Sequence, residues 1–140
     1  MKTHTLILFL LFVTVFVSAQ KIDNAFVEGT WKVVSIEESP QDPPFSFMTR
    51  SYRKAKFVFN NDQSCRLTTT LANGFFRTLS DRIDNSFWSL SGQSARPSVL
   101  IEDNGEKVLE IFVSTLAGET FFGLGEEGDT SYFLLKVVKE

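Results

Sequence analysis

From Gly29 to the C-terminus the chain is interrupted every few residues by turn formers, and this punctuation constrains the fold more than any other feature. The sharpest interruption is Asp103-Asn104-Gly105-Glu106, where Asn-Gly can supply the positive φ that a two-residue hairpin needs at both central positions. It joins Ser98-Val99-Leu100-Ile101-Glu102 to a run from Lys107 to Leu116. In that run Leu109, Ile111 and Val113 share one face, and Val108, Glu110 and Phe112 share the other. Asn60-Asn61-Asp62-Gln63 likewise joins Lys56-Phe57-Val58-Phe59 to the run from Ser64 to Thr70. Further strands are predicted over Thr30–Glu37, Phe75–Leu79, Ser86–Ser91, Thr120–Leu124 and Ser131–Val138, with Asp81–Asn85 as a turn and Gly92 closing the strand before it. That makes nine strands, or eight if Phe75–Leu79 is an extended loop or bulge. No segment after Glu28 shows a sustained helical period, whereas Lys21 to Glu28 has the make-up of a single helical turn.

A meander of short strands joined by hairpin-length turns points to antiparallel pairing. Such a sheet exposes its edges unless it closes on itself. About eight strands is the smallest closed size, with an interior that either packs with side chains or holds one small ligand. The expected fold is therefore all-β: an antiparallel up-and-down barrel of about eight strands with a short N-terminal turn or helix.

A segment of a different kind precedes the strands. Lys2 is followed by an apolar run from Leu6 to Val17, and Val17-Ser18-Ala19 places small residues where a signal peptidase cuts. The run is shorter than the roughly 20 residues of a membrane-spanning helix. The expectation is a cleaved signal peptide over 1–19, an N-terminal segment over 20–28 and a barrel domain over 29–140. On this reading the protein is exported, periplasmic or extracellular, and has no membrane span once the leader is removed.

Removing 19 of 140 residues leaves 121, enough for one domain with a core of its own. The mature chain carries 13 basic and 17 acidic residues, a net charge of −4, and lacks the clustered cations that nucleic acid demands. The one basic run, Arg50 to Lys56, is expected to be the solvated start of a strand. Cys65 is the only cysteine, which forbids an intrachain disulfide; its expected place is as a small buried hydrophobe, with Arg66 on the opposite strand face.

Catalytic chemistry is hard to assemble from these residues. The only histidine, His4, leaves with the leader, and with it goes the usual general base and commonest metal ligand. The adjacent pairs Glu37-Glu38 and Glu126-Glu127 would point to opposite strand faces or into water. Asp62, Asp103 and Asp129 occupy turns that explain them. We expect no enzyme activity, no catalytic residues, no metal and no cofactor.

Candidate binding residues come from strand facing and from one loop. Trp31, Phe57, Phe59, Leu67, Trp88, Leu109 and Ile111 are expected to point inward. Phe45, Phe47 and Met48 lie on a proline-stiffened loop after the first strand, where a lid would sit; a solvent-facing cluster of this kind implies that it covers core, ligand or partner. Twelve of the fifteen phenylalanines belong to the mature chain, enough to line such an interior or to fill it. Both outcomes remain open from the sequence.

The series Gly29-Thr30-Trp31-Lys32-Val33-Val34-Ser35, Phe57-Val58-Phe59-Asn60-Asn61-Asp62, Phe87-Trp88-Ser89-Leu90 and Tyr132-Phe133-Leu134-Leu135-Lys136 resembles the lipocalin-like domains of secreted bacterial proteins of the Bacteroidetes type. The resemblance implies a barrel with Trp31 at its closed end and a basic side chain, Lys136 or Lys139, packed over it. It also implies a cavity for a small apolar molecule. The expected function is binding of a small hydrophobic ligand in the barrel interior. The alternative is a protein-interaction or inhibitor module with a filled, ligand-free barrel and an unknown protein partner.

Overall fold

The computed structural model describes residues 20–91 and 96–140, so the expected leader over 1–19 and the strand end at Gly92 lie outside the described residues. Asp23 caps a single helical turn, α1 (Asn24–Val27), by accepting from the Phe26 amide at 2.9 Å. Strand β1 (Gly29–Glu38) follows, then a 3-10 turn (Phe45–Met48) running into helix α2 (Thr49–Tyr52). Strands β2 (Ala55–Phe59) and β3 (Cys65–Thr69) form the first hairpin. Helix α3 (Gly74–Asp84) leads to β4 (Phe87–Ser91), β5 (Ser98–Asp103), β6 (Glu106–Leu116), β7 (Glu119–Leu124) and β8 (Phe133–Lys139).

All eight strands form one antiparallel sheet in the order β3-β2-β1-β8-β7-β6-β5-β4, a nearly closed up-and-down barrel. Among the described residues no helix is long and apolar enough to cross a membrane. Alternation sets the facing: β2 places Ala55, Phe57 and Phe59 inside, and β3 places Cys65 and Leu67 inside with Arg66 outside. Two register shifts interrupt β1 against β8, after Val33 and after Ile36. They explain why Ile36 packs against the core although Lys32 and Val34, four and two positions before it in period-two register, are exposed.

The closed end is built around Trp31. Its Nε1 donates to the Val27 carbonyl at 2.8 Å, and its ring meets Phe26 and Phe122, each at 5.4 Å between centroids. Lys139, the last residue of β8, sets its Nζ 5.3 Å from the Trp31 ring centroid and donates to the Phe26 carbonyl at 2.6 Å. Lys139 thus takes the position over the tryptophan, while Lys136 pairs outside with Glu119. Gly29 suits this position through its backbone, with φ at +124°, and a Cβ there would also crowd Cε of Lys139 at 3.1 Å.

The predicted strand Phe75–Leu79 and the predicted turn Asp81–Asn85 are corrected by the structure: both belong to the 11-residue helix α3. Asn73 supplies the cap, its Oδ1 accepting from the Phe76 amide at 2.8 Å, and the Phe76/Ile83 pair buries one helical face. Consecutive aromatics favour strands by propensity, but here burial along a 3.6-residue period wins. The loop after β1 is also partly helical despite its prolines, and Arg50 of the basic run lies on α2, so the strand starts only at Ala55.

Helix α3 is where the barrel is incomplete. Among the described residues β3 and β4 meet only near the Ser64–Phe87 bridge, beside which the Trp88 amide donates a hydrogen bond to the Gln63 carbonyl at 2.8 Å. Beyond that point the free edge of β3 is covered by the helix, and Ser80 Oγ donates to the Leu67 carbonyl at 2.6 Å. We predict that Trp31→Ala lowers stability by about 3–5 kcal/mol, as large-to-small core changes do. Urea unfolding tests this, and an unchanged midpoint would contradict the role of Trp31 as the seal of the closed end.

Candidate functional site

At the end of the barrel opposite Trp31, a cavity of about 540 Å³ opens between the helices and the strand ends. Pro44, Phe45, Met48 and Tyr52 form one wall from the segment between β1 and β2. Helix α3 forms the facing wall with Phe75, Thr78, Leu79 and Arg82, spaced i, i+3, i+4, i+7 and so on one helical face. Val108 and Leu109 come from β6, and Leu124, Gly125, Ser131 and Phe133 from the end of β7 and the start of β8. The two helical walls are tied together: Asn73 Nδ2 donates to the Phe47 carbonyl, while Ser51 Oγ donates to the Leu71 carbonyl at 2.6 Å.

The rest of the barrel interior is filled. Tyr52 contacts Phe133 at 4.7 Å and Phe76 at 5.3 Å between ring centroids. Below them Phe57, Phe59, Trp88 and Phe122 pack mostly edge-to-face at 5.5 to 6.3 Å, and Phe122 continues to Trp31. Rings of this size occlude the lower half and leave space only at the mouth.

The ten residues singled out from the sequence therefore fall into three groups. Phe45, Met48 and Leu109 line the cavity. Trp31, Phe57, Phe59, Leu67, Trp88 and Ile111 are inward and buried, but they form the packed core and do not line it. Phe47 lies outside the cavity, 55% exposed, and stacks on Phe75 at 6.3 Å. Both cavity lining and filled core thus describe part of this interior.

Several lining residues escape a reading by strand periodicity. Alternation puts Val108 on the face opposite Leu109, but β6 has one extra residue there: Ile101 pairs with Leu109 and Glu102 with Lys107, so Val108 is the bulge and joins Leu109 at the cavity. Phe75, Thr78, Leu79 and Arg82 share a face only on a helix; Asn73 as N-cap followed by that spacing is the sequence signal for it. Tyr52 had no signal beyond its apolar ring.

Electrostatically the cavity is simple. Among the described residues no carboxylate lines it, and Arg82 is the one charged lining residue. Tyr52 is 98% buried, being 2% exposed, and burial pushes its hydroxyl pKa upward, so it remains a neutral donor. Among the described residues no three or more His, Cys, Asp or Glu side chains converge as metal ligands. Asp62, in the β2–β3 turn, accepts from the Ser64 amide at 2.9 Å and Ser64 Oγ at 2.6 Å; those bonds hold its carboxyl below the usual range and explain the residue locally. No family model, curated protein or solved structure matches the chain.

Cys65 sits under the end of α3, 4% exposed, with Sγ 3.5 Å from the Ile83 carbonyl and 3.6 Å from that of Ser86. Burial, reinforced by the Asp84 charge, pushes the thiol from 9.0 up to about 11. A group whose folded pKa is raised contributes stability that is complete below its unfolded value and is lost as pH rises toward the folded one. Stability should therefore decline between pH 9.0 and about 11, and less steeply in Cys65→Ala. A disulfide-exchange reagent at neutral pH should label Cys65 only after denaturant is added; fast labelling of the native protein would contradict the burial.

Proposed function

We propose that this is an exported binding protein that takes a small apolar molecule into the cavity at the barrel mouth. The observation that carries this reading is the apolar cavity left above the packed aromatics. The barrel is packed from Trp31 up to Tyr52, and the remaining cavity of about 540 Å³ is walled chiefly by apolar side chains. That volume lies within the roughly 300–1,000 Å³ of small-molecule sites. A binding role rather than a catalytic one is supported by the residue inventory, since the only histidine, His4, lies in the expected leader. Export is supported by the leader pattern over residues 1–19.

The interaction-module reading has one observation of its own: Phe45, Phe47 and Phe75 are all 42% or more exposed around the same mouth. A protein partner seated on those rings would not require the cavity to accept anything. The two readings separate in one titration with the neutral, polarity-sensitive dye N-phenyl-1-naphthylamine. We expect saturable binding with enhanced emission. Leu79→Trp, which fills the cavity from α3, should weaken it about tenfold, equivalent to a loss of ~1.4 kcal/mol. Phe87→Ala, on an exposed face of β4 away from the cavity, should leave it unchanged. No uptake by the wild-type protein would reject the small-molecule reading in favour of the interaction module.

A further inference from the structure

We infer that the helical wall between β1 and β2, together with the start of α3, docks on an anionic lipid bilayer. Phe45, Phe47 and Phe75 enter its apolar boundary, and Arg50, Arg53 and Lys54 meet the lipid phosphates; this holds whatever the cavity contains. The rings are the first support. They are 42%, 55% and 52% exposed, a cost in water that a covering surface removes. Phe47 stacks on Phe75, and Phe45 and Phe75 border the same mouth, so the three form one projecting group. Leu71, also exposed, is tied to this wall through Ser51.

The second support is the charge beside those rings. The 3-10 turn and α2 run on without a break from Phe45 to Tyr52, with Met48, Ser51 and Tyr52 buried. Spacing i, i+3, i+4 puts those three on the core side, which leaves Phe47 and Arg50, three apart, together on the solvent side. Arg53 and Lys54 follow, both exposed, and none of the three cations forms an ion pair with a described residue. Residues 43–61 contain four basic residues and no acidic one. Residues 43–83 as a whole hold seven basic and two acidic, a net +5, against six and fifteen, a net −9, in the remainder of 20–140. The acidic turns over 102–106 and 126–129 adjoin the strand ends on the other sides of the cavity, so charge is divided across the mouth and the bilayer meets the helical wall. A second copy fits this wall poorly, because like charges would face each other.

The third support is the backbone. Lipid offers no hydrogen bonds, so a segment that enters it must pair its own polar groups. The Ser46 and Phe47 amides donate to the Asp42 and Pro44 carbonyls at 3.1 and 3.2 Å. The Asn73 side chain donates to the Phe47 carbonyl and accepts from the Phe76 amide, and Ser51 Oγ donates to the Leu71 carbonyl. A protein interface of standard size carries about ten direct hydrogen bonds, and these groups are already spent.

Co-sedimentation of the mature protein with vesicles of about 70% phosphatidylcholine and about 30% phosphatidylglycerol, against phosphatidylcholine alone, tests the assignment. We expect binding about tenfold or more stronger to the anionic vesicles, eroded by added salt. Arg50→Gln and Lys54→Gln should each weaken it about fivefold, whereas Lys32→Gln, the same charge change at an exposed site on β1, should leave it unchanged. Phe47→Ser should weaken it about tenfold, the scale of burying much of one ring. Phe47→Trp keeps an apolar ring, and its emission should be quenched by phospholipid brominated in the acyl chains, while Trp31 and Trp88 stay buried in the core. No binding to the anionic vesicles, an equal loss in Lys32→Gln and Arg50→Gln, or no quenching in Phe47→Trp overturns the bilayer assignment. Dye uptake without vesicle binding rejects the bilayer, leaves the cavity reading standing and returns the exposed rings to a protein partner.

Discussion

The pairing of β1 with β8 is the constraint on which everything else depends. It joins the first and last strands, and without it the sheet would fall into two pieces, β3-β2-β1 and β8-β7-β6-β5-β4, each with its own exposed edges. The pairing is clamped where Lys139 reaches across to Trp31 and the carbonyls of α1, so a cation–π contact and charge-assisted hydrogen bonds act on the same ammonium. Gly29 is what lets these groups approach. The cavity between the helices and the strand ends lies at the opposite end of the barrel.

The second edge problem, between β3 and β4, is solved by a helix rather than by a ladder. Ser80 satisfies a β3 carbonyl, and Cys65 and Leu67 are buried beneath α3. The same helix that covers the seam with Phe76 and Ile83 turns Phe75, Thr78, Leu79 and Arg82 to the cavity. Structural repair and site construction therefore share one 11-residue element, and its capping residue, Asn73, also anchors the opposite wall through the Phe47 carbonyl.

Much of this was legible in the chain. The Asn-Gly turn at 104–105 sits where expected, the hairpin from Phe57 to Leu67 pairs Phe57 with Leu67, and Trp31 closes one end with a lysine over it. These features are local: turn chemistry and period-two alternation act within a few residues of one another. The misreadings have physical causes of the same kind. Phe75-Phe76 looks like a strand by propensity, but Asn73 and the seam it faces make it helical. Val108 looks outward by alternation, but one bulge residue turns it in.

The antiparallel up-and-down architecture could be read from the chain alone, because strand spacing and turn residues leave few other ways to satisfy the backbone. So could the sealed end, through Gly29 and Trp31. Whether the inward aromatics line a void or fill it depends on contacts between distant strands. Alternation says which way a ring points, while free volume depends on what comes from the far wall. Phe122 and Trp88 meet Phe59 from other strands and fill the lower barrel, whereas α3 and the turn before α2 stand apart and leave a cavity at the mouth.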